Sequence, residues 1–153
     1  MKPFLFFALV SLAATVTGQS SSNVVTHFNL SKDKLALSGF DPVAYFSGKP
    51  VEGNSAISYE YRGVKYFFSS EENKQRLMKE PSKYEPQYGG WCAYAMGNTG
   101  EKVEVDPETF KIIDGKLYLF YNKFFNNTLT SWNKNETALK LQADKNWNKI
   151  ISR

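Results

Sequence analysis

"ISYEYRGVKYFFSSEENKQRLMKE", residues 57 to 80, decides how the rest of the chain reads. Tyr59 and Tyr61 alternate with Ser58 and Glu60, "RG" supplies a tight turn and "VKYFF" is rich in β-formers, so the pattern predicts a hairpin. A helix should follow at once. Ser69 is placed to cap it, Glu72 completes a capping box, Leu77 is its core contact, and Pro81 stops it. This segment is therefore expected to form a compact β-β-α unit.

A second hairpin is expected in "FKIIDGKLYLFYN", where Asp114-Gly115 is a strong two-residue turn. Just before it, "VDPETF" reads as a helix start, with Asp106 as N-cap and Pro107 in the first helical position. Earlier in the chain, "LAL" suggests a short strand, "SGKPVEGNSA" a loop, and "DPVAYF" a turn opened by Asp41 and Pro42. "PSKYEPQYGG" should be irregular, and its paired glycines suit positive φ or close backbone approach. "WCAYAM" fits one helical turn or a strand equally. From Asn122 onward the pattern is helical: Phe125, Leu129 and Trp132 share one face, and Leu139, Ala143 and Trp147 another.

The 153 residues are 42% hydrophobic and 16% aromatic, enough for one domain with a real core. Net charge is +4, but the lysines and arginines are interleaved with acids, so no phosphate-binding patch forms and nucleic acid is not an expected partner. "MKPFLFFALVSLAATVTGQ" has one Lys, an apolar run and small residues, the layout of a secretory signal. The expected organisation is a signal peptide over 1–19, a flexible lead over 20–34 and one domain over 35–150. The protein should be exported, periplasmic or secreted, soluble, and without a membrane span once the signal is removed.

In such a compartment a lone Cys92 cannot make an internal disulfide. Its thiolate could hold a soft metal such as Cu(I) together with Met96, four residues on, aided by His27. A small thiol packed in the core is the competing account. One His and one Cys exclude a blue-copper site, and they exclude a zinc site built from Cys and His alone. No nucleophile, base and orienting carboxylate form a recognisable set, so no catalytic residue is expected. Tyr84, Tyr88, Trp91 and Tyr94 could instead line an aromatic groove for a small ligand or a protein.

"GFDPVAYF", "YRGVKYFFSSEENKQRLMKEPSKYEPQYGGWCAYAMG", "VDPETFKIIDGKLYLFYN" and "ADKNW" together resemble the exported proteins of the YHS-domain family. The resemblance runs from Leu35 to Trp147. It implies a small α+β domain with an antiparallel sheet, a treble-clef-like β-β-α core, a second hairpin and C-terminal helices. It also implies an association with metal ions or metal-handling proteins, copper among them. In the metal-binding YHS pattern one cysteine follows "DPV" and two flank the start of the helix. Those positions are here Ala44, Ser69 and Asn73, none of which offers a thiolate.

Overall fold

A computed structural model describes residues 25–153; the expected signal peptide and the first residues of the lead lie outside them. The architecture is α+β, with three small two-stranded antiparallel sheets and short helices. β1 (Asn54–Tyr61) pairs with β2 (Val64–Phe68), and Arg62 and Gly63 both take positive φ in the turn. That left-handed pair matches the strand twist, which is why Gly sits at its second position. In β2 the alternation is clean: Val64, Tyr66 and Phe68 are buried, while Lys65 and Phe67 are only half-buried.

Helix α1 (Glu71–Lys79) leaves β2 directly and buries Leu77. Its cap is Ser70, whose hydroxyl accepts from the Asn73 N–H at 3.1 Å, and not the expected Ser69. Two adjacent serines carry the same capping chemistry, and Ser69 is drawn away by a buried acceptor described below. The irregular stretch after it contains one turn of helix, α2 (Pro81–Tyr84), and a 3-10 turn at Gln87–Gly90. α3 (Ala93–Asn98) settles "WCAYAM" as helix, with Cys92 at its N-cap position.

β3 (Asp106–Ile113) and β4 (Lys116–Phe120) form the second hairpin around Asp114-Gly115. Asp106 starts a strand here, which corrects the expected helix N-cap. Its Oδ1 accepts from the Glu108 N–H at 3.0 Å and its Oδ2 from the Thr109 hydroxyl at 2.9 Å, within an irregularity of the ladder. An Asp bonded to the backbone two residues on serves a bulge as well as a cap, and the β-rich "TFKII" decides for the strand.

Asn122 does not begin a helix either. β5 (Asn122–Lys123) and β6 (Asn126–Asn127) form a minimal hairpin, and α4 (Thr128–Lys134) and α5 (Glu136–Ile151) follow it. Phe125 therefore stands exposed at a hairpin tip, apart from the buried Trp132 with which it was expected to share a face. Leu139, Ala143 and Trp147 do share a face, packed on the second core.

The lead is not free from Val25 onward. The Asn29 N–H donates to Gly89 O at 2.9 Å, Leu30 bridges Ala36, and the Phe28 ring lies 6.1 Å from that of Trp147. Side chains on the folded domain capture this segment, which composition alone cannot reveal.

Two buried clusters make the core. Val64, Tyr66, Phe68 and Leu77 belong to one, and Met96, Trp132 and Ala143 to the other. β4 is their common wall: Leu117 and Leu119 enter the first cluster, Tyr118 and Phe120 the second. A strand buried on both faces reads as a continuous apolar run, and "LYLF" is one.

Asp41 is completely buried. Its Oδ1 accepts from the Val43 and Ala44 N–H groups at 2.8 and 3.3 Å. Its Oδ2 accepts from the Ser69 N–H, the Ser69 hydroxyl and the Asn73 amide at 2.8, 2.6 and 2.7 Å. Replacing Asp41 by Ala would orphan several buried donors, so chemical denaturation should show a loss of about 3–5 kcal/mol, against about 1–2 kcal/mol for Ser69→Ala. An Asp41→Ala protein as stable as the wild type would remove this carboxylate from the account of the fold.

Candidate functional site

The three positions at which the YHS pattern carries cysteines converge on Asp41. The Ala44 N–H, the Ser69 hydroxyl and the Asn73 side-chain amide all donate to its carboxylate. The bond to the Val43 N–H is the turn-opening role expected of Asp41, and the three long-range donors are additional. A local signal hinted at them: Ser69 and Asn73 are four apart, on one side of a helix start facing an Asp that precedes Pro. These donors and the carboxylate form a closed set of hydrogen bonds.

Cys92 is fully buried and unbridged. Its Sγ accepts from the Tyr121 N–H at 3.3 Å and lies 3.4 Å from Thr128 Oγ1. The Thr128 hydroxyl spends its own proton on Tyr121 O at 2.9 Å, which leaves the thiol to donate to Thr128. Cys92 thus joins the start of α3 to the end of β4 and the start of α4. Met96 is also fully buried, in the second cluster, and its N–H donates to Cys92 O at 3.0 Å. The helical turn needed to place both sulfurs on one face is present.

His27 stands elsewhere. Its Nδ1 is 3.2 Å from Lys102 Nζ, and it lines a different depression from the one bordered by Cys92. Among the described residues, no three His, Cys, Asp or Glu side chains gather closely enough to hold a metal ion.

The four aromatics do not share one groove. Tyr84 is buried against Phe46, edge to face at 5.1 Å. Trp91 donates to His27 O at 2.6 Å, and Tyr94 borders the depression beside Cys92. Of the four, Tyr88 reaches a cleft walled also by Phe28 and Trp147.

That cleft has a volume of about 440 Å³ and is lined by Phe28, Glu85, Tyr88, Lys116, Asp144 and Trp147, among others. Its size falls within the usual range for small-molecule sites. Tyr88 is held with φ of 54°, followed by Gly89 at 61°, in a left-handed run. A Cβ on Gly89 would come within 2.8 Å of Phe28 and 2.9 Å of Trp147, so this glycine is what lets the two rings close over the backbone. The "GG" signal was in the sequence, but Phe28 and Trp147 are 119 residues apart (147 − 28) and nothing local pairs them.

The electrostatics of the cleft are acidic. The Tyr88 hydroxyl donates to Asp144 Oδ1 at 2.9 Å; burial first, and then that bond, push its acidity far down, so it remains a donor. Burial also raises the Glu85 carboxyl above the usual range, with Arg62 and the Tyr66 hydroxyl pulling the other way. The Tyr66 hydroxyl, though fully buried and turned to Glu85, makes no hydrogen bond of standard geometry. With two carboxylates and one ammonium, the named charges sum to −1 (1 − 2).

No family model, no curated protein and no solved structure matches the chain.

A thiol held in this way is shielded whatever its chemistry. Cys92 should resist a thiol reagent in the native protein and react at the rate of global unfolding when denaturant is added. Rapid native labelling, followed optically, would show that the end of α3 opens independently of the core.

Proposed function

We propose that this chain is an exported, YHS-like binding protein without catalytic activity, and that it takes a small organic cation into the cleft between residues 85–89 and α5. The observation that carries the reading is the composition of that cleft: Phe28, Tyr88 and Trp147 beside Glu85 and Asp144. Aromatic faces attract a desolvated cation and carboxylates neutralise it, while the rings exclude water from the contact. The hairpin, helix, second hairpin and C-terminal helices follow in the order that the resemblance implies.

Choline is a suitable probe, with its uncharged carbon isostere as control. Calorimetry should show choline binding and the isostere binding far less. Trp147→Ala or Asp144→Asn should weaken choline by about tenfold or more. Equal binding of the two probes, or of neither, would sink the reading. The pH dependence follows from Glu85. Its pKa is raised in the folded protein, so across the window above the usual carboxylate range it still holds a proton and offers less negative charge. Choline affinity should therefore rise with pH through that window, and Glu85→Gln should flatten the rise. For the same reason the ionised side chain weakens the fold, so stability without ligand should fall as pH rises through this window.

A second reading, a soft-metal site, is favoured by one geometric fact. The turn closed by the Met96 N–H and Cys92 O brings the two residues together at the start of α3, and Cys92 borders a depression of about 280 Å³. Thiolate and thioether select Cu(I). Anaerobic Cu(I) titration against a chelator separates the readings: wild type should outcompete Cys92→Ser, and equal competition removes the metal.

A further inference from the structure

The β5–β6 hairpin turns on Phe124 and Phe125, which are 86% and 111% exposed, with φ of 53° and 62°. Two-residue turns of this hand favour Asn and Gly, because positive φ crowds a Cβ against the backbone. Two phenylalanines are among the least suited residues for the task. Neither ring belongs to a buried cluster or stacks on another aromatic among the described residues. The local rule is broken, and no packing among the described residues compensates for it.

Along the chain around the tip the charge has one sign. From Leu117 to Asn135 the chain carries Lys123 and Lys134 and no acidic residue. Lys123 is exposed in the hairpin itself, directly before the two rings, and Lys134 is exposed at the end of α4. The carboxylate tied to this end of the molecule is Glu101, which shares a depression with Asn126 and accepts from the Thr99 hydroxyl at 3.2 Å. No helix among the described residues is long and apolar enough to cross a membrane.

We propose that the Phe124–Phe125 tip is a membrane-surface anchor that inserts its two rings into the interface of an anionic lipid bilayer, with Lys123 meeting the headgroups. Aromatic rings favour the interfacial zone, and a neighbouring lysine adds attraction to a negative leaflet. Two rings and few charges give weak, reversible attachment, suited to holding a small exported protein near a surface. This site is separate from the cation cleft and does not depend on it.

The test is co-sedimentation with phosphatidylcholine vesicles, with and without phosphatidylserine. The double change Phe124→Asn and Phe125→Gly installs the preferred turn, so this variant should fold at least as well as the wild type. Wild type should sediment with the anionic vesicles and bind neutral ones more weakly, while the variant loses about tenfold or more of its partition. Equal sedimentation of the two proteins, or no sedimentation of the wild type, overturns the proposal. So does wild-type self-association that the variant abolishes, seen by analytical ultracentrifugation without lipid, since the rings would then be covered by a second copy.

Discussion

A carboxylate with no exposure to water has to be satisfied by donors or carry a large desolvation penalty, and Asp41 is such a group. No ion pair to it exists among the described residues, so hydrogen bonds alone offset its burial. Its donors come from the turn after Pro42, from the end of β2 and from the first turn of α1. Each of those segments is thereby given one position relative to the others. Tyr45, four residues on, is driven into the first core, where it stacks on Phe110 at 5.0 Å and donates to Pro107 O at 2.7 Å. The bulge in β3 is docked by that bond. One buried charge therefore orients two hairpins and a helix.

The other constraint is steric. With Leu117 and Leu119 on one face of β4 and Tyr118 and Phe120 on the other, neither cluster can loosen without disturbing the strand they share. Gly97 shows how tightly the second cluster is drawn: a Cβ there would meet Leu139 O at 2.5 Å, so α3 and α5 touch backbone to backbone. The cleft at Tyr88 lies at the seam of this arrangement. Its walls come from α2 and the 3-10 turn after it, from the start of β4, from α5 and from the segment holding Phe28, parts held together only by the finished fold.

Signals confined to a few residues were legible in the sequence. Arg62-Gly63 and Asp114-Gly115 turn where their dipeptides say they should, and the β-forming run "VKYFF" is strand β2. Readings failed where one local chemistry serves two structures. Ser69 and Ser70 could both cap α1, and Asp41, far along the chain, takes the first for itself. Asp106 bonds two residues ahead as an N-cap would, yet sits in a strand. The helical period through Phe125 was real as a pattern, but the positive φ at Phe124 and Phe125 makes a hairpin of it. Of the expected aromatic residues, Tyr88 lines the cleft, while its neighbours there, Phe28, Asp144 and Trp147, are brought to it from distant parts of the chain.

Cys92 shows how a thiol that draws notice in a sequence is occupied within the fold. Sulfur accepts from Tyr121, donates to Thr128 and otherwise behaves as a small apolar group, a combination that the start of α3 uses in full. Recruiting it for a ligand would cost both of those bonds and expose part of the second core. Around Asp41 the same logic is carried further: Ser69 and Asn73 donate to a carboxylate where thiolates would have competed with it for space and charge. Chemistry that is fully satisfied within the core has little left to offer an outside partner. The groups that the fold leaves at its surface are of another kind: the aromatic cleft beside α5 and the bare rings of the β5–β6 turn.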